Sequence, residues 1–175
     1  ATLDALRHLR LRPEELLAEV TVVGRDNLKR AVAAGRGAFL LSAHVGSWET
    51  AALVAGLLLP ERFAVVNRPL DNPLLDAELA RLRGLYGNRS LGKRGVARDI
   101  LKELKAGGAV GILIDQRARQ GDAVEAPFFG LPSRTHPILA RLALRTGAPV
   151  VPIWGLCDGP GRTTVRFDSP IEPEP

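Results

Sequence analysis

The sequence predicts an α/β fold: a mostly parallel central sheet flanked by helices, with an antiparallel hairpin at one edge. Three observations carry that reading. Short apolar runs of strand length alternate with segments whose apolar residues recur at three- and four-residue spacing. The central runs, Ala38–Ala43, Ala109–Ile114 and Val150–Leu156, are almost wholly apolar, as strands buried on both faces are. The turn residues Asp158-Gly159-Pro160-Gly161 separate the last of these runs from Thr163–Phe167, which should return beside it as a hairpin strand.

Taken in order, Leu3, Leu6 and Leu9 with interleaved arginines predict a short basic amphipathic helix, and Pro13 opens a second one reaching Glu19. Val20–Val23 follows as a strand, and Asp26 is placed to cap a helix that Gly35 stops. The strand Ala38–Ala43 runs into His44, and a helix covers Ser47 to Leu58 until Pro60. Phe63–Val66 is the next strand. Asp71 and Pro73 then start a helix with Leu75, Leu79, Leu82 and Leu85 on its apolar face. A short strand lies near Ser90, and a helix from Val96 to Leu104 ends at Gly107-Gly108. After the strand Ala109–Ile114, Ala126–Thr135 reads as a Gly/Pro loop, and Ser133 or Thr135 caps a helix over 136–146. No composition break divides the chain, so residues 1–175 are expected as one domain, with 1–19 as N-terminal helices.

The chain of 175 residues is 46% hydrophobic and 25% charged, ordinary values for a globular protein with a substantial core. Its formal charge is +5, and 20 of the 24 basic residues are arginine, which binds phosphates and carboxylates through paired hydrogen bonds. One cysteine, Cys157, excludes an internal disulfide and a cysteine-based zinc site. The longest apolar stretch, residues 51–59, is too short to span a bilayer. The sequence starts with Ala and contains no Met, and residues upstream of it are expected.

The chemistry centres on His44-Val45-Gly46-Ser47-Trp48-Glu49, at the passage from a buried strand into a helix. In a continuous helix, positions five apart point about 140° away from each other. His44 and Glu49 therefore meet only if His44 lies on the turn and Glu49 on the first turn of the helix. His44 is the candidate general base, with Glu49 as its orienting carboxylate. Ser47 lacks the glycine two residues later that a nucleophile elbow requires, and it is read as the helix cap. Cys157 has no adjacent base and reads as a small core residue. A base without a protein nucleophile must act on water or a substrate hydroxyl, which means hydrolysis or acyl transfer. His8 and His136 complete no metal-ligand spacing, so no metal is expected.

Other constellations surround this one. Arg68 and Arg83 near strand ends could clamp a phosphate. Asp115-Gln116 follows a fully apolar strand, and a carboxylate there needs a partner such as Arg83. Pro127-Phe128-Phe129-Gly130 could wall an acyl channel or close the end of the core.

Together these motifs resemble the lipid A biosynthesis (lauroyl/myristoyl) acyltransferase family, within the lysophospholipid and glycerol-phosphate acyltransferases. The similar segments are H-x-G-x-W-E at 44–49, Arg68-Pro69 with Asn72-Pro73, the Arg83 segment, Gly107-Gly108 to Asp115-Gln116, Pro127 to Gly130 with Thr135, and Leu142 to Pro152. The match runs from about residue 20 to the end. The departures are Ser47, where the family usually has Asn, and the absence of the family's N-terminal anchor and C-terminal segment.

The resemblance implies that His44, oriented by Glu49, deprotonates an acceptor hydroxyl, which attacks the thioester of an acyl carrier protein or acyl-CoA without an acyl-enzyme. It implies no cofactor beyond that acyl thioester. Arg68, Arg83, Asp115 and Gln116 become the candidate substrate-binding residues. The acceptor would be a membrane glycolipid such as a lipid A precursor, at the cytoplasmic face of the inner membrane. A phosphatidylinositol-mannoside or lysophospholipid acceptor would need the same chemistry. From the residues alone, a thioesterase-like hydrolase and a non-catalytic basic module for phosphates or nucleic acid stay open.

Overall fold

The structure is a computed structural model that describes residues 7–92, 95–121, 123–159 and 161–174. The chain passes through α1 (Pro13–Glu19), β1 (Val20–Val23), α2 (Arg25–Ala33), β2 (Ala38–Ser42), α3 (Trp48–Leu58), β3 (Phe63–Val66), α4 (Pro73–Gly84) and β4 (Asn88–Leu91). It continues through α5 (Val96–Lys105), β5 (Ala109–Leu113), β6 (Val124–Phe128), β7 (Leu131–Thr135), α6 (Ile138–Thr146), β8 (Val150–Gly159) and β9 (Arg162–Phe167). The expected helix around Leu3 and Leu6 falls largely outside the described residues.

Seven strands form one sheet in the order β1-β9-β8-β2-β5-β3-β4. From β8 to β4 every neighbouring pair is parallel. β9 runs antiparallel to β8, and β1 joins parallel to β9. The antiparallel edge is thus the pair β9-β1, and the strand closing it is the first of the chain. Side chains alternate across the sheet. Ala38 and Leu40 join the core under α2 and α3, while Phe39 joins the opposite core with Ile100 and Leu104 of α5 and Leu139 and Leu142 of α6. Helices therefore cover both faces, and the apolar runs in the sequence follow from that double burial.

Several boundaries move for identifiable reasons. Asn72, not Asp71, caps α4, its side chain accepting from the N–H groups of Leu74 and Leu75. That helix has no fully buried residue: Leu79 and Leu82 pack against the core, while Leu75 and Leu85 face solvent. Asp26 lies in the first turn of α2, behind Gly24 at the cap position. Residues 124–135, spanning the expected loop and helix cap, form a separate antiparallel hairpin, β6-β7. Its two-residue turn, Phe129-Gly130, has φ of 48° and 78°, the left-handed conformation that tight hairpins use. The prolines at 127 and 132 hide its strand pattern, because proline argues against a strand except at an edge.

Candidate functional site

Parallel strands present their carboxyl ends along one edge, and β2 stands between β8 and β5 there. The Ser42 hydroxyl donates to the Ile153 carbonyl at 2.8 Å, tying the end of β2 to β8. The chain then turns through residues 43–47. Gly46 adopts φ 61°, and a Cβ on it would lie 2.1 Å from the Gly155 carbonyl oxygen. A Cβ on Gly155 would in turn lie 2.2 Å from the Ser47 carbonyl oxygen. The two glycines let this turn press against β8, where the Ser47 N–H donates to the Gly155 carbonyl at 2.8 Å.

On its other flank the turn meets β5. Ser42 pairs with Leu113, and two residues beyond each stand His44 and Asp115. The His44 backbone N–H donates to Asp115 Oδ2 at 3.0 Å, and its ring Nδ1 lies 2.9 Å from Asp115 Oδ1. An ionised Asp115 accepts only, so Nδ1 carries a hydrogen, and in the neutral imidazole Nε2 keeps its lone pair. Burial pushes the Asp115 carboxyl up, but the hydrogen bonds from the His44 ring and backbone outweigh it and hold the pKa below its ordinary value. Both side chains are more than a third exposed, at 38% and 36%, so the pair is open to a ligand. The Trp48 ring meets the imidazole edge-on with centroids 5.1 Å apart.

Glu49 does not touch this histidine. It lies in the first turn of α3 and faces inward, where the Arg83 guanidinium holds it through two hydrogen bonds, Nε to Oε1 at 2.6 Å and a terminal nitrogen to Oε2 at 2.9 Å. The side chains of Glu49 and Arg83 are only 10% and 16% exposed. The expected partners are thus exchanged: His44 pairs with Asp115, and Arg83 pairs with Glu49. Sequence spacing favoured the near carboxylate. The signal that finds the right one is that both residues sit two positions beyond the paired ends of adjacent strands, which requires knowing that β2 and β5 are neighbours.

The remaining candidates separate. Gln116 is exposed beside Asp115. Arg68 lies beyond the carboxyl end of β3 and is exposed, its guanidinium 3.0 Å from Asp71. Arg83 is committed to Glu49 and does not join Arg68 in a clamp. Ser47 occupies the cap position of α3 but makes no capping bond; its hydroxyl lies 3.3 Å from Cys157 Sγ, which is exposed rather than in the core. Phe128 and Phe129 close no core, standing 66% and 93% exposed at the tip of the hairpin. Beneath Trp48, between α3 and the sheet, lies an apolar cavity of about 20 Å³ lined by Leu40, Ala51, Phe63, Gly111 and Ile153 among others. Among the described residues no cluster could hold a metal ion, and no helix is long and apolar enough to cross a membrane.

A family model described as bacterial lipid A biosynthesis acyltransferase matches residues 3–174. The chain belongs to that family. This lipid A acyltransferase family member is 33% identical over 144 residues to the phosphatidylinositol mannoside acyltransferase of Mycobacterium tuberculosis, covering 79% of this chain and 44% of that protein. It is 29% identical over 165 residues to the same-named protein of Mycolicibacterium smegmatis, covering 91% of this chain and 51% of the relative. Against the lipid A biosynthesis palmitoleoyltransferase of Escherichia coli it is 34% identical over 110 residues, covering 63% of this chain and 35% of the relative. The chain thus spans about half the length, or less, of these curated relatives.

Proposed function

We propose that this chain carries the catalytic centre of an acyltransferase that moves a fatty acyl group from a thioester, on acyl carrier protein or coenzyme A, to a hydroxyl of a membrane glycolipid. The observation that carries this reading is the His44–Asp115 pair, held open to solvent at the carboxyl edge of the sheet with Nδ1 engaged by the carboxylate and Nε2 left for a ligand. Nε2 takes the proton of the acceptor hydroxyl as its oxygen attacks the thioester carbonyl. The tetrahedral intermediate collapses, the carbon–sulfur bond breaks, and the imidazolium returns the proton to the departing thiolate. Asp115 holds the tautomer and stabilises the imidazolium. The first N–H groups of α3 have no partner within the helix, Ser47 leaves them uncapped, and they are suited to the developing oxyanion.

Glu49 and Arg83 serve this centre as positioning residues, fixing the first turn of α3 from below. Arg68, whose only partner among the described residues is the exposed Asp71, is free to exchange that partner for an acceptor phosphate, and Gln116 would face the same ligand. No cofactor takes part, the acyl thioester being a substrate. The acceptor places the reaction at the inner membrane, on the cytoplasmic side where thioester donors are found.

The acceptor has two readings. The family description favours a lipid A precursor. The greater coverage of this chain by the phosphatidylinositol mannoside acyltransferases favours a mannosylated phosphoinositide. Incubating the protein with a panel of acyl carrier proteins, acyl-CoAs and lipid acceptors, with products read by mass spectrometry, decides between them. An acylated glycolipid supports the proposal. Free fatty acid released at a rate indifferent to acceptor would make the protein a thioesterase. No turnover, with phosphate binding that weakens as salt rises, would make it a binding module.

A further inference from the structure

The β6-β7 hairpin has no part in the chemistry just described, yet it leaves the sheet directly behind Asp115. The Ala118 N–H donates to the Arg134 carbonyl at 3.0 Å, anchoring the hairpin base three residues past that carboxylate. Beyond this anchor none of its strand residues is fully buried, and its strands form a sheet of their own. A two-stranded hairpin is marginal in water by itself. Its polarity runs along its length rather than across its faces. Residues 126–133 carry no charge, and Phe128, Phe129 and Leu131 are exposed at the tip. Charge begins at the paired Glu125 and Arg134, and Arg117 and Arg119 follow on the approach; none of these three arginines forms an ion pair among the described residues.

The backbone carries the same division. The pair flanking a two-residue turn, Phe128 and Leu131, exchanges hydrogen bonds, and the next pair points its polar groups outward. That next pair is Pro127 and Pro132, which have no N–H to strip of water. A protein groove would need one apolar face along the hairpin. An apolar tip, no outward donors behind it and an arginine collar fit insertion along the hairpin axis into a charged interface. The three residue levels of the tip span about 10 Å at strand rise, the upper end of the about 5–10 Å to which interfacial segments sink into the boundary between headgroups and acyl chains. Leu70, in the connection leaving β3 at the same sheet edge, and Leu74 and Leu75, in the first turn of α4 that follows it, are exposed as well.

We propose that the β6-β7 hairpin is a membrane wedge, whose Phe-Phe-Gly-Leu tip enters an anionic phospholipid surface beside the catalytic edge. This rests on the lipid-acceptor reading for its purpose but not for its test. Phe129→Trp supplies a fluorophore at the tip, read as the difference in emission from the parent protein, which keeps Trp48 and Trp154. With vesicles of phosphatidylcholine and phosphatidylglycerol in equal parts, that added emission should shift to the blue and be quenched by bromines placed on the upper acyl chain. Phe128→Ser with Phe129→Ser should lower vesicle partitioning about 10-fold or more. It should slow acyl transfer to a vesicle-borne acceptor to a similar degree while leaving transfer to the same acceptor in micelles unchanged. Unquenched, unshifted emission from the Phe129→Trp variant with vesicles would overturn the wedge, even in a protein that transfers acyl groups. So would unchanged partitioning of the Phe128→Ser, Phe129→Ser variant together with weakened binding of acyl carrier protein, which would assign the tip to the donor. Vesicle insertion without acyl transfer in any assay would leave the wedge standing and remove the enzymatic reading.

Discussion

Two carboxylates stand close to the same turn and are held in opposite ways. Asp115 receives two hydrogen bonds from one histidine and remains over a third exposed. Glu49 receives two from one arginine and is almost wholly buried. The first pair includes an imidazole, which can take up and release a proton; the second joins a carboxylate to a guanidinium through two parallel hydrogen bonds. An exposed pair contributes little to stability, because water competes for both partners. A buried pair must remain complete, since removing one partner leaves an uncompensated charge. The site thus divides its labour, with one ion pair free to react and one fixed beneath it.

The sharpest way to break this contrast is His44→Ala. Acyl transfer should fall about 10³-fold or more, with the thermal midpoint nearly unchanged. A variant that kept its rate would remove His44 from the role of base. Glu49→Ala should do the opposite. It leaves Arg83 unpaired and should cost about 3 kcal/mol of stability, visible as a lower urea midpoint. Glu49→Asp, which keeps the charge on a shorter side chain, should recover only part of that loss. If Glu49→Ala abolished transfer at full stability, Glu49 would belong with the reactive pair.

Asp115→Asn should slow transfer about 10²-fold through loss of the fixed tautomer, with a smaller effect on folding. Its pH dependence has a defined sign. The folded-state pKa of Asp115 is depressed, so its contribution to stability is complete above the ordinary carboxylate range and disappears as pH falls through the folded value. The stability gap between wild type and Asp115→Asn should therefore close on acidification; a gap that widened would contradict the pairing. The smallest effect is expected of Ser47→Ala, about 1 kcal/mol or less by denaturant titration, because its buried hydroxyl caps nothing and meets only Cys157 Sγ.

The fold was legible in the sequence because double burial writes itself as uninterrupted apolar runs. β3 and the β8-β9 reversal fall where pattern and turn residues put them. The β6-β7 hairpin escaped because its strands bury nothing and so carry no alternation, and because proline stands in both. At the site, His44 and Asp115 were visible individually as polar residues ending apolar strands. Their pairing was not, since it depends on which strands are neighbours. Local spacing offered Glu49 instead, and nothing local reveals that α3 turns that side chain inward to Arg83. Gly46 shows the same limit: its close approach is to Gly155, far along the chain.

That approach has a kinetic consequence. The turn bearing His44 hangs between β8 and β5, through Gly155 on one side and Asp115 on the other. One contact closes a loop of 71 residues, and the other joins residues 47 and 155. Such closures are slow, because chain entropy is lost before the contact is gained. Neither is available until the central strands have assembled in parallel register. During refolding, helical signal should return first, and the histidine should acquire its working geometry only as the last long-range closure completes.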